Sequence, residues 1–172
     1  ITALRIAPGH LFASATVPKC NESAPDTGSN KLLYTWKVFS GITVIDEFVS
    51  VSLDPRAFKL TGYQLDAGAE YGVQVTAALE RDESVSASAS VTVTIISSGV
   101  EAVIIGGAAR TVSTTEAYSI DASGSHDIDY PPTSVLAGYT GEVKEVSYSW
   151  TCLVLTATNY GDSCGITLPT TS

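Results

Sequence analysis

The sequence predicts an all-β protein built from tandem immunoglobulin-like β-sandwiches. Three observations carry that prediction: apolar and polar residues alternate with a period of two, turn-forming clusters separate the alternating runs, and no helical period is sustained. Successive side chains of an extended strand point to opposite faces, so alternation marks a sheet with one face on a core and one in solvent. Many short strands separated by turns suit a sandwich.

The first run covers residues 11–17 and leads into a turn-rich stretch at 21–30 with Pro25, Asp26 and Gly28. A second strand is expected over 32–39. It carries Tyr34-Thr35-Trp36, and because a large indole on a central strand fills the space between two sheets, Trp36 is expected to plug the core. Strands at 48–53 and 57–60 flank the Asp54-Pro55 turn. Leu65 and the Asp66-Ala67-Gly68 turn then open a strand at 70–79. Tyr71 enters that strand just after the glycine turn, which is where a tyrosine corner forms, its hydroxyl bonded to backbone upstream; the alternative is an ordinary core aromatic. The cleanest alternation runs over 85–95. Val85, Ala87, Ala89, Val91, Val93 and Ile95 form one face, and Ser86, Ser88, Ser90, Thr92 and Thr94 form a solvated hydroxyl face, with O-linked sugars as the alternative reading.

The pattern breaks at Ser97-Ser98-Gly99, which divides the chain into domains at 1–98 and 99–172. In the second, an apolar run at 102–105 ends in Gly106-Gly107. Tyr148-Ser149-Trp150 repeats the grammar of Tyr34-Thr35-Trp36, so Trp150 is expected to plug a second core from a strand ending at Cys152. Only about twenty residues follow it, too few to complete a sandwich of roughly seven strands. The second sandwich is therefore expected to be incomplete, with its remaining strands beyond Ser172 or borrowed from a neighbour.

The 44% apolar and 16% charged fractions describe a packed globular chain, and 172 residues suffice for two small domains. A net charge of −9 repels phosphates and anionic lipid, which excludes nucleic acid as a partner. Direct membrane insertion in this stretch is excluded too, since no run approaches the roughly 18 apolar residues of a span, and the start lacks a signal-peptide pattern. The absence of methionine and the odd cysteine count point to a piece of a longer protein. Of Cys20, Cys152 and Cys164, the expected pair is Cys152 with Cys164, because the turn at Tyr160-Gly161-Asp162-Ser163 returns the chain to the strand that ends at Cys152. Closing that loop contributes about 3 kcal/mol; the alternative is two free buried thiols. Zinc spacing such as C-x-x-C is missing.

No catalytic residue is assigned. Ser125-His126-Asp127 has the residue types of a triad, but neighbours in one turn cannot take up its hydrogen-bond order, and no phosphate-binding glycine loop is present. Asp121, Asp127 and Asp129 offer hard oxygen ligands, which makes calcium the one cofactor to consider. His126 and Pro132 stand where an EF-hand needs glycine and glutamate, and the alternative is a solvated turn whose Asp and Ser bond their own backbone. Asn21-Glu22-Ser23 is an N-glycosylation acceptor. Tyr130, Tyr139 and Tyr160 are loop aromatics suited to stacking on a glycan.

Asp121-Ala122-Ser123-Gly124-Ser125-His126-Asp127-Ile128-Asp129, followed by Tyr148-Ser149-Trp150, resembles the D-A-S-G-S-x-D-x-D and Y-x-W signature of polycystic kidney disease (PKD) repeats. With Cys152 after the tryptophan it is similar to the variant in receptor-for-egg-jelly (REJ) regions of polycystin-like proteins, where such modules lie beside fibronectin type III-like ones. Residues 1–96 resemble one of those neighbours. The aspartate-rich tail of ordinary PKD repeats is replaced by Cys152 and an apolar run, and no H-L-T or H-L-S cleavage tripeptide occurs. The resemblance implies a fibronectin III-like domain at 1–98, a PKD-like one at 99–172, and an extracellular or cell-surface location. It also implies a non-enzymatic structural or adhesive module of a large matrix or flagellar-hair protein, acting by rigid spacing and assembly with neighbouring modules or subunits. The alternative is a glycan- or ligand-binding ectodomain module of a polycystin-like receptor or channel.

Overall fold

The computed structural model describes residues 1–17, 31–113, 115–166 and 168, so Cys20, Asn21 and the turn cluster around them lie outside the described residues. Nine strands and no helix occur among them: β1 (Thr2–Leu4), β2 (Gly9–Phe12), β3 (Leu32–Ser40), β4 (Thr43–Val44), β5 (Ala57–Leu60), β6 (Glu70–Leu79), β7 (Asp82–Ile96), β8 (Val100–Glu101) and β9 (His126–Asp127). The chain is all-β and forms two compact units, Ile1–Gly99 and Val100–Ser172.

Unit 1 is a two-layer sandwich. One layer is a five-stranded mixed sheet in the order β1-β7-β6-β3-β4, and the other is the antiparallel pair β2-β5. The register places Trp36 opposite Val75, Val38 opposite Val73, and Tyr71 opposite Val93, so the apolar phase of each strand falls on the same face. Val38, Tyr71, Val73, Val93 and Ile95 of the large sheet close on Phe58 and Leu60 of β5, with Trp36, Phe48 and Leu65 packed around them. Phe48 meets the Tyr71 ring edge-on at 6.1 Å, and Trp36 lies 5.5 Å from Phe58.

Two expected strands come out differently. The run at 11–17 begins its pairing earlier, at Gly9, and as a strand ends at Phe12, with one more backbone bond from Ala13 N–H to the Arg56 carbonyl. Residues 48–53 form no strand. There one backbone bond, from the Val51 N–H to the Lys59 carbonyl, is flanked by the Ser50 hydroxyl, which accepts from the N–H groups of Lys59 and Ser52 and donates to the Ala57 carbonyl. That side chain must point inward to do so, which turns Val49, Val51 and Leu53 out to solvent.

Unit 2 has little regular pairing. Val100 and Glu101 pair with Asp127 and His126. Beyond them the Ser125 hydroxyl accepts from the Val103 N–H and donates to its carbonyl, and the Ile105 N–H bonds the Asp121 carbonyl. Tyr148-Ser149-Trp150 was expected on a strand and is not on one. From residue 145 to 155 burial alternates strictly between exposed and half-buried, as a strand would have it, yet among the described residues 145–151 find no backbone hydrogen-bond partner. The side-chain period is present and a partner strand is not found among the described residues, and pairing needs both.

Candidate functional site

Three local devices organise the residues singled out by sequence. The first is at the entry to β6. Gly68 adopts φ +80°, a left-handed conformation suited to glycine, and the chain folds back so that the Asp66 N–H donates to the Tyr71 hydroxyl at 3.1 Å. Tyr71 is 5% exposed, so its ring fills the core while its one polar atom is bonded to backbone.

The second device joins the layers of unit 1. The Trp36 indole N–H donates to the Pro55 carbonyl at 2.9 Å, which pins β3 to the turn before β5. Asp54 holds that turn by accepting from the Arg56 N–H and, with both carboxylate oxygens, from the Arg56 guanidinium at 3.1 and 2.9 Å. The Arg56 side chain is the main cause that holds the Asp54 carboxyl below the usual carboxylate range, and it is itself raised in turn. The guanidinium also lies 5.3 Å from the Phe12 ring centre, over β2.

The third is the acidic motif of unit 2. Asp121 accepts the Ser123 N–H, which lowers its pKa, and Asp127 accepts the N–H groups of Asp129 and Tyr130. Asp129 is fully buried, beside the buried Tyr130 and Pro131. Each of the two exposed-side aspartates thus ties down its own turn. Among the described residues no group of three His, Cys, Asp or Glu side chains is placed to hold a metal ion. The Ser125-His126-Asp127 types do not assemble either: Ser125 bonds Val103, and His126 reaches the Gly124 carbonyl at 3.1 Å and Glu101 at 3.5 Å.

Cys152 and Cys164 are joined by a disulfide across a hairpin, with Cα atoms 5.5 Å apart and a backbone bond between the same two residues. Leu153 pairs with Ser163 next to it. Trp150, expected as a core plug, is half-buried and lines an open groove of about 420 Å³ with Val103, Ile104, Ala122, Val146 and Tyr148. Of the three loop tyrosines, Tyr130 is buried under Lys144, Tyr139 is half-buried, and Tyr160 is 77% exposed.

A family model described as REJ domain matches residues 21–170. The chain belongs to the REJ domain family. That match crosses the division between the two units, so the REJ domain of this chain includes most of the sandwich of unit 1 and the disulfide-bonded hairpin of unit 2. No curated protein and no solved structure matches the chain. No helix among the described residues is long and apolar enough to cross a membrane.

Proposed function

We propose that this REJ domain is an extracellular, non-enzymatic spacer and assembly module of a large cell-surface or matrix protein, a fibronectin-like unit followed by a PKD-like one. The observation that carries the reading is the pairing at the ends of unit 1. β1 runs parallel to β7, with Thr2 opposite Thr94 and Leu4 opposite Ile96, and the Ile1 amine bonds the Thr92 carbonyl while the Thr94 N–H bonds the Ile1 carbonyl. Tension along the chain pulls β1 and β7 in opposite directions along their own axes. All the bonds between them are then loaded at once in shear, instead of opening one by one. The Cys152–Cys164 bond, of the kind that persists in oxidising compartments, supports the extracellular placement.

Single-molecule stretching of the full chain tests the reading. Unit 1 is expected to hold under load and then release in one step. A chain that lengthens smoothly from the lowest force overturns it. The groove around Trp150 and Tyr148 favours a second reading, a glycan- or ligand-binding module. Glycan-array binding by the chain, lost on Trp150→Ala, is its expected signature, and an array without signal removes it.

A further inference from the structure

A long exposed loop lies between β8 and β9 of unit 2. Every described residue from 104 to 121 is exposed, and the loop is closed at its base where the Ile105 N–H bonds the Asp121 carbonyl. Between those two positions no described residue makes a backbone–backbone hydrogen bond. Gly106 and Gly107 stand at positive φ where the loop begins, and it contains no proline. An endopeptidase binds its substrate as an extended segment, so it cuts fastest where the residues are small or polar and the backbone has no partners to give up.

Arg110 lies within this loop, preceded by Ala108 and Ala109 and followed by Thr111. A carboxylate at the base of a protease's S1 pocket selects such a residue. The Arg110 guanidinium is at the surface, donating to the Tyr118 hydroxyl at 2.6 Å and lying 5.8 Å from the centre of that ring. The other described basic residues are each withheld. Arg5 is buried, and Lys37 and Lys59 stand within paired strands. Lys31 is ion-paired with Glu80, and both carboxylate oxygens of Asp54 clamp Arg56. Arg81 sits in the tight turn between β6 and β7, flanked by the carboxylates of Glu80, Asp82 and Glu83. Lys144 is tied to Tyr130 twice, by its N–H to the carbonyl and by its ammonium over the ring.

We propose that this loop is a processing site for a trypsin-like serine endopeptidase, which hydrolyses the Arg110–Thr111 bond and frees the chain beyond it from unit 1. The C–N bond between the two residues breaks. Water supplies a hydroxyl to the Arg110 carbonyl carbon and a hydrogen to the Thr111 nitrogen, leaving a carboxylate and an ammonium. Among the described residues, few contacts of unit 2 then join the two pieces: Val100 and Glu101 paired with Asp127 and His126, the Ser125 hydroxyl on Val103, and the Ile105 N–H on the Asp121 carbonyl. The Cys152–Cys164 bond lies wholly in the second piece. An intact loop keeps these partners at an effective concentration of about millimolar, and once it is cut they part at micromolar concentration. The cut rests on the spacer reading only for its use, since a spacer under tension lets go where it is severed.

Limited digestion of the full chain with trypsin, followed by intact-mass spectrometry, is the test. The first products expected are residues 1–110 and 111–172, running apart on size exclusion at micromolar concentration. Arg110→Gln is expected to abolish that pair of fragments. Tyr118→Phe is expected to speed their appearance about fivefold, because the arginine no longer gives up a hydrogen bond to enter the S1 pocket. A first cut after another basic residue overturns the proposal, as does a chain that trypsin leaves intact. Fragments that elute together overturn the release, and a Tyr118→Phe chain cut no faster overturns the hold of Tyr118 on the arginine. A chain resistant at Arg110 that still holds under load in the stretching experiment removes the processing site alone and leaves the spacer reading standing.

Discussion

Units 1 and 2 remove different kinds of side chain from water. In unit 1 the buried set, Arg5 apart, is apolar and comes from both layers, Val38, Tyr71, Val73, Val93 and Ile95 against Phe58 and Leu60. In unit 2 the buried residues are His126, Asp129, Tyr130 and Pro131, while Ile104, Ile105, Ile120, Leu153 and Leu155 are about half exposed or more. Unit 1 is held by hydrophobic burial between two sheets, and unit 2 by turn hydrogen bonds and a covalent link. Alternation marks a chain ready to form a strand, and it becomes one only where a partner strand is supplied.

That comparison makes three graded predictions. Phe58→Ala is expected to cost unit 1 about 3–5 kcal/mol, because the ring is 3% exposed and sits at the junction of both layers. Hydrogen exchange resolved by peptide should show the loss within residues 31–96 and not beyond residue 100; an equal loss in both units would break the distinction between them. Cys164→Ser is expected to cost unit 2 about 3 kcal/mol, since the loop between Cys152 and Cys164 is no longer closed in the unfolded chain. With so little apolar burial to offset it, unit 2 should exchange freely while the denaturant midpoint of unit 1 stays unchanged. A unit 2 that keeps its protection under reduction would show that its turns suffice. The smallest effect is that of Tyr71→Phe, about 1 kcal/mol, from loss of the hydroxyl that accepts the Asp66 N–H. Equilibrium unfolding measures it, and no change would mean that the ring alone acts at that corner.

Much of unit 1 was legible. The strands at 57–60 and 70–79 coincide with β5 and β6, and 85–95 lies within β7, although there only Val91, Val93 and Ile95 turn inward while Val85, Ala87 and Ala89, expected on the same face, are exposed. The bond to Tyr71 was legible from its place after a leucine and a glycine turn. The clamp of Trp36 on Pro55 was missed, since nothing local links an indole to a carbonyl nineteen positions away. The run at 48–53 misled for a definable reason: its apolar residues have the right period, but Ser50 bonds the β5 backbone and sets the opposite phase. Trp150 misled in another way. Its neighbours alternate as those of Trp36 do, and the segment finds no strand to pair with among the described residues.

By itself the sequence determined the all-β class, the period of each strand and the acidic turns, because these depend on side-chain spacing along a few residues. Only the tertiary structure decided which phase of an alternating run faces inward and which alternating run finds a partner strand. Those outcomes depend on hydrogen-bond partners and facing surfaces far away in sequence, as with Asp82–Ser90 of β7, whose two exposed faces no local pattern could reveal.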